Sequence, residues 1–458
     1  MEKYSASKLR TLHHWSSPLS SRRRCVRVAL VVTLLIVLVL FALLPPKHRE
    51  SASLMNAAAA VPPLPPRARI HIYEPISSMQ SLSDVLAHRA DVRNALESIY
   101  VIRTETALLS VPPTFREKAA AMFSAYGGTH EELMRALEEQ RVVEVWNRIT
   151  GENALFNSIR KFRPGGGSSG GDAAEQEAVA KSYTEGSGVA TCDFCSMNHT
   201  AEDVFGRIVG KHSFTAANIA KLSRWHSLII TDVHDPLAYN EDVIADIIDV
   251  SHKWFKRAHH EDSLHTYPNI ICDIGKRASA SQVHLHLQVA LTRDHYFSGI
   301  DQLQRAAARF SKLKYYSYWD EVVRLHDMIG LSVRVGDNVV LSNVCPRKEK
   351  ELLVISRDPE DPSFARAVAV ALMALRDAAG VRSMSFAVSY PPLNASGNYN
   401  KGEMPAIFRV IDRGSALDPR GDTGALEYFG STYVAADPYA IIPHLVLTKK
   451  RLFKQTKL

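Results

Sequence analysis

The residues best suited to chemistry lie in Ser281 to Ala290, S-Q-V-H-L-H-L-Q-V-A. His284, His286 and Gln288 recur at every second position, with Val283, Leu285, Leu287 and Val289 around and between them. Such alternation marks a strand with one apolar and one polar face. The apolar face packs on a core. The polar face presents two imidazoles and an amide in line, about 7 Å apart at a rise of ~3.3 Å per residue. An imidazole can attack phosphorus, and an amide can hold a developing negative charge without adding a charge of its own. The loop before it, Gly275-Lys276-Arg277-Ala278-Ser279-Ala280-Ser281, supplies small residues, hydroxyls and two cations. Backbone amides and hydroxyls of that kind suit phosphate oxygens.

A second pattern is metal-like. Cys192 and Cys195 form a C-D-F-C pair, half of a tetrahedral zinc site, and the other half would need two histidines. His284 is one candidate. His234, in V-H-D-P, is the other. A lone C-x-x-C could equally be a disulfide in an oxidising lumen. Five cysteines in 458 residues do not make a disulfide framework.

The elements around these residues read as alternating strands and helices. One stretch runs from a strand at 228–231 through an Asp235-Pro236 turn and a helix at about 240–259 to a strand at 269–273. Val243, Ile244, Ile247, Ile248, Trp254 and Phe255 give that helix one apolar face. A second stretch repeats the plan: strand 351–356, turn at Asp361-Pro362, helix at about 363–378, strand 384–389. An internal duplication is expected. Residues 70–145 read as mostly helical, with Thr129 and Glu132 forming a capping box. Residues 51–68 form an Ala/Pro linker, and the Gly/Ser run at 165–171 a flexible loop.

Charge and hydropathy set the remaining bounds. The formal net charge is +7, with 46% hydrophobic and 22% charged residues, an ordinary globular composition. Residues 1–50 alone carry nine cations against two acids, so the remainder is near neutral and no nucleic-acid partner is expected. The excess flanks Val28–Leu44, seventeen uncharged residues led by Arg22, Arg23, Arg24 and Arg27. This reads as a single-pass signal anchor with the C-terminal part across the membrane, in the secretory pathway. A cleaved signal peptide and an organelle transit peptide are the alternatives.

In order along residues 145–450, these motifs resemble the galactose-1-phosphate uridylyltransferase branch of the histidine-triad superfamily. That branch carries glutamine at the third position of its H-x-H-x-Q run, as Gln288 does. Asn147-Arg-Ile-Thr-Gly-Glu leading to Arg160-Lys-Phe-Arg163-Pro resembles its opening segment. Cys192-Asp-Phe-Cys195-Ser-Met-Asn198 resembles its zinc loop, and Tyr390-Pro-Pro-Leu393 a segment of its second half. The chain departs from the pattern at Leu285, where the family has proline. It departs again at His212-Ser213-Phe214, where the family's base-contacting N-D-F stands, and at Phe386 and Val388, in place of a second metal site. Ser281-Gln282 and Leu287 look closer to the related diadenosine tetraphosphate and GDP-sugar phosphorylases.

The resemblance implies an α+β fold: a duplicated half-barrel, each half an antiparallel sheet with flanking helices. The implied division is a basic tail at 1–27, the anchor at 28–44 and the linker at 45–69. The helical region follows at 70–145, then the active half at 146–300 and the second half at 301–450. The implied reaction moves a nucleoside monophosphate between a nucleotide sugar and a sugar 1-phosphate, as in galactose metabolism, through a covalent nucleotidyl-histidine. His286 would be the nucleophile, with Gln288 and Ser281 assisting. Arg160, Arg163, Lys276, Arg277, Asp273, Phe214 and Glu427 would bind substrate. One structural zinc would sit on Cys192, Cys195, His234 and His284, and the protein would be a homodimer. A phosphorylase or hydrolase of nucleotides, or an inactive anchored relative, are the rival readings.

Overall fold

Helices α1 (Met79–His88) and α2 (Ala90–Leu96) lead into strand β1 (Tyr100–Leu108). Helices α3 (Pro113–Met122) and α4 (His130–Glu138) follow, then β2 (Glu139–Asn147) and β3 (Asn153–Phe156). The chain is seen here as a computed structural model, which describes residues 70–162, 177–179, 181–183, 191–393, 404–415, 418 and 421–455. The expected anchor at 28–44, the linker at 45–69, Arg163 and the Gly/Ser loop lie outside them. Among the described residues no helix is long and apolar enough to cross a membrane.

The capping box forms as expected: the Glu132 N–H donates to Thr129 Oγ1 at 3.2 Å, and the Thr129 N–H to Glu132 Oε2 at 2.7 Å. The helical reading of 70–145 misses two long strands, however. β1 and β2 pair antiparallel over nine residues each. Their outer positions are polar (Arg103, Thr104, Glu105, Arg141, Glu144), which hides the two-residue period from a search for apolar alternation.

The two strand–helix–strand units form, each with one more strand at either end. The first is β4 (Ser213–Ala217), β5 (Trp225–Thr231), helix α5 (Glu241–Glu261), β6 (Tyr267–Ile274) and β7 (His286–Thr292). Helices α6 (Ser298–Lys314) and α7 (Tyr318–Met328) and strand β8 (Ser332–Val335) connect it to the second. The second is β9 (Asn338–Ser342), β10 (Leu352–Ser356), helix α8 (Pro362–Met373), β11 (Met384–Ser389) and β12 (Ala406–Asp412). Helix α9 (Ala425–Tyr428), β13 (Ser431–Val434) and helix α10 (Ile442–Gln455) complete the chain.

Nine strands make one antiparallel sheet in the order β4-β5-β7-β6-β11-β12-β10-β9-β8. Each half uses the same plan read from opposite ends, and the halves join where β6 pairs with β11, Asn269 opposite Ser389. Helices α5 and α8 cover one face. Leu285, Leu287 and Val289 share that core with Trp254, Phe255, Phe364 and Val368. The opposite face is covered unevenly. Over β9, β10 and β12, a core of Leu341, Leu353, Ile355 and Ile407 packs against Leu82, Leu96, Val143, Val145 and Phe156. Residues 70–156, with α6 and α7, thus cap the second half, and β13 extends their sheet beside β3.

A buried charge cluster pins that cap. Arg409 on β12 bonds Glu152 Oε1 at 3.1 Å through Nη1 and lies 3.3 Å from Glu351 Oε1 through Nε. Arg347 Nε reaches the same Glu152 oxygen at 2.5 Å. Burial raises the Glu152 carboxyl, but Arg409 and Arg347 outweigh it and hold it at about 2. A carboxyl depressed in the fold contributes stability above its ordinary range and loses it as pH falls toward about 2. Glu152→Ala is expected to destabilise the protein by about 3–5 kcal/mol, because it leaves Arg409 buried beside one carboxylate fewer. It should also flatten the loss of stability between ordinary carboxylate pH and about 2, read by denaturant titration at several pH values.

Candidate active site and metal centre

Strand β7 starts at His286, five residues after the expected start at Ser281, and Ser281 to Leu285 form the bend that enters it. The facing of the side chains survives. Within the sheet His286 pairs with Ile230, and Gln288 with Leu228 on one side and Ile271 on the other. Directly opposed residues share a face, so His286 and Gln288 look away from the helices. On β12, at the corresponding place in the other half, that face holds Ile407, Arg409 and Ile411. The second half therefore presents no histidine there.

His284 sits in the bend, buried, and belongs to a different cluster. Ligand atoms of Cys192, Cys195, His234 and His284 all lie within 4.8 Å of one another. His284 Nδ1 is 3.6 Å from Cys192 Sγ and 3.5 Å from Cys195 Sγ, and His234 Nδ1 is 3.3 Å from Cys195 Sγ. Tetrahedral zinc with ordinary bond lengths puts a sulfur and a nitrogen roughly 3.6 Å apart. The donor set and its spacing therefore fit zinc. His284 Nε2–H donates to the Thr231 carbonyl at 2.7 Å, which leaves Nδ1 as the lone pair facing the thiols. Burial pushes His284 down to about 4, so the ring is neutral as a ligand must be. Desolvation, with Cys192 adding to it, raises the Cys195 thiol to about 11, a preference that a divalent cation reverses. His234 Nε2 is buried without a hydrogen-bond partner. The four described cysteines carry no disulfide.

His286 is fixed differently. Its Nδ1–H donates to the His284 carbonyl at 2.8 Å, so Nε2 keeps the lone pair. Burial lowers its pKa, against the opposing pull of that carbonyl and of Asp273. The Phe194 ring, from the metal loop, meets His286 edge-on at 5.0 Å between centroids. Phe194 and Met197 also pack on Phe214, Leu228 and Ile230, so an apolar wall stands beside the imidazole. Phe194 was not among the expected site residues; its place between Cys192 and Cys195 was the available signal.

The remaining expected residues divide. Asp273 accepts from Ser385 Oγ at 2.5 Å and lies 3.7 Å from Arg413 Nη1, near the mouth of the Gly275 loop. Arg413, also unexpected, donates to Ser385 Oγ at 2.6 Å. Lys276 and Ser281 are exposed in the loop. Arg277 turns away and donates to the carbonyls of Arg413 and Asp418. Arg160 stacks on Tyr433 of the four-stranded sheet, 3.9 Å from its centroid, and Arg163 lies outside the described residues. Glu427 accepts the Gly424 N–H at 2.9 Å and pairs with Lys348 at 3.6 Å.

Purified protein is expected to hold about one zinc per chain, and Cys192→Ser to lose zinc and thermal stability together. Metal analysis and a melting curve check both. A Cys192–Cys195 disulfide in zinc-free native protein would overturn the assignment.

No known family and no curated protein matches the chain. Solved structures do. An ADP-glucose phosphorylase from Arabidopsis thaliana, with bound ADP-glucose, superposes with a TM-score of 0.51 at 13% identity, over 66% of this chain and 98% of that one. A GalT-like protein from the same plant gives a TM-score of 0.46 at 14% identity, over 56% and 91%. A yeast Ap4A phosphorylase gives 0.31 at 11%, over 74% and 96%. The likeness expected from the motifs is thus met by fold: 66% of the chain shares the architecture of the plant ADP-glucose phosphorylase.

Proposed function

We propose that the chain is a nucleotidyltransferase whose covalent intermediate forms on His286. The observation that carries this reading is the Nδ1–H bond from His286 to the His284 carbonyl, which leaves a neutral imidazole with Nε2 free beside the Gln288 amide. Nε2 attacks the α-phosphorus of a nucleotide sugar. The N–P bond forms as the bond from phosphorus to the bridging oxygen breaks, and the sugar 1-phosphate departs. An acceptor phosphate oxygen then attacks the same phosphorus, the N–P bond breaks, and the imidazole returns to its first state. The Gln288 NH2 donates to a non-bridging oxygen as charge gathers there. Lys276 and Ser281 stand at the loop that would meet the departing phosphate. The wall of Phe194, Phe214, Leu228 and Ile230 suits the apolar side of a nucleoside. Zinc on the Cys2His2 cluster would supply rigidity to the bend that carries His284, since all four of its positions are filled by protein.

The acceptor is either a hexose 1-phosphate or inorganic phosphate. Glu427, the carboxylate that the uridylyltransferase resemblance would assign to the sugar, is occupied by Lys348 and the Gly424 N–H, which favours phosphate. The ADP-glucose phosphorylase architecture points the same way. A homodimer, anchored by residues 28–44 with its catalytic part lumenal, belongs to the same proposal.

Intact mass of protein mixed with ADP-, UDP- and GDP-sugars should show one added nucleoside monophosphate and name the base. His286→Ala should abolish that adduct with zinc content unchanged, and Gln288→Ala should form it ~10²-fold more slowly. An adduct on His286→Ala at the wild-type rate would refute the mechanism. Chasing the adduct with phosphate, hexose 1-phosphates or water then separates phosphorylase, transferase and hydrolase. For the topology, protease added to sealed vesicles should leave the C-terminal part intact until detergent is present; digestion without detergent rejects a lumenal site.

A further inference from the structure

His226 lies on β5, 1% exposed, on the same face as Gln288 and one step along the sheet, opposite Ala290. It was not among the residues singled out from the sequence. The loop Asn218–Arg224, which joins β4 to β5, wraps around it. The Leu222 backbone N–H donates to His226 Nδ1 at 2.9 Å, and Lys221 Nζ donates to the His226 carbonyl at 2.8 Å. On the other side of the ring, His226 Nε2 is 3.1 Å from Gln288 Oε1.

These contacts fix the ring and the amide in sequence. A backbone N–H can only donate, so Nδ1 must carry a lone pair. A neutral imidazole then carries its proton on Nε2. That proton needs an acceptor; the Asn218 amide also lies 3.5 Å from Nε2, but its oxygen accepts from the Ala220 N–H, so the Gln288 carbonyl oxygen at 3.1 Å is the acceptor in reach. A glutamine amide has two ends of nearly equal size, and its own packing does not choose between them. With His226 donating, the oxygen must face His226 and the NH2 must face the opposite way. Flipped, the amide would set NH2 against Nε2–H and turn its oxygen toward the phosphoryl oxygens.

We propose that His226 is a positioning residue that locks the Gln288 amide with its NH2 toward the reacting phosphate. The proposal rests on the nucleotidyl-histidine reading above. It assigns to the 218–224 loop the task of setting, through one histidine, which end of the amide the substrate meets.

The test is the single-turnover rate of nucleotide labelling, with zinc content and melting temperature measured on each variant. His226→Ala should label ~10-fold more slowly, short of the ~10²-fold cost of Gln288→Ala, since it loosens the amide without removing it. His226→Gln, which offers the same acceptor and donor, should recover most of the rate. In the Gln288→Ala background His226→Ala should add nothing, because its effect passes through the amide. Multiplying costs in the double variant, or a wild-type rate for His226→Ala, would overturn the proposal. If His226→Ala melts too low to assay, His226→Phe keeps the ring volume without the donor and is read the same way. The nitrogen chemical shifts of His226 in wild-type protein give an arm independent of turnover. The Nε2–H tautomer is expected, and Nδ1–H would overturn the proposal by itself. Absence of any adduct on wild-type protein, with the expected tautomer, would instead sink the reaction and the catalytic consequence with it.

Discussion

Strand β7 is held in register by β5 on one side and β6 on the other, and every polar side chain of the site takes its direction from that register. Leu287 and Val289 go to the core under α5, so His286 and Gln288 must go to the opposite face. A slip of one residue would bury the His286 imidazole and the Gln288 amide and expose two aliphatic side chains. Burying those two side chains is worth roughly 1.5–3 kcal/mol each, and burying two unpaired polar groups in their place costs a similar amount again. The hydrophobic core behind the sheet therefore aims the chemistry in front of it.

The two halves share a plan but not an environment. Residues 70–156 close the face of β12, β10 and β9, whereas among the described residues the metal loop and the 218–224 loop lie on the corresponding face of β7 and β5. The closed half carries Arg409 where the open half carries polar site residues, and Glu152 and Glu351 neutralise it. One half of the duplicated sheet is thus spent on packing. The other keeps His286 and Gln288 on the corresponding face.

Legibility followed locality. The C-x-x-C pair and the placing of His286 and Gln288 on one face could be read because alternation and short spacings are local features, as was the capping box of α4, whereas His234 and His284 join the two cysteines across long stretches of sequence. The late start of β7 was not visible, since a buried ligand in a bend and a residue in a strand can share the same two-residue spacing. β1 and β2 were missed because a strand solvated on one face need not look apolar. Arg277 was assigned to substrate by its charge and Glu427 by the family resemblance, while the fold supplied Asp418 and Arg413 to the one and Lys348 to the other across long stretches of sequence. His226 is the sharpest case. A lone histidine in W-H-S-L-I-I-T reads as a satisfied core residue, and only the pairing register of β5 with β7 brings it to Gln288.

Three histidines, His226 on β5, His286 on β7 and His284 in the bend before it, show how much of the site is decided by the backbone rather than by residue type. The Thr231 carbonyl takes Nε2–H of His284, so Nδ1 is left for a metal. The His284 carbonyl takes Nδ1–H of His286, so Nε2 is left with the lone pair. The Leu222 N–H occupies Nδ1 of His226, so Nε2–H is left to donate. Burial lowers the pKa of all three, which keeps each ring neutral and makes the distinction between its nitrogens meaningful. A charged imidazole donates from both nitrogens and could serve neither as ligand nor as nucleophile. Desolvation and one main-chain hydrogen bond per ring are therefore enough to make the same side chain offer a different nitrogen, or the same nitrogen in a different state, at three places on two paired strands and the bend beside them.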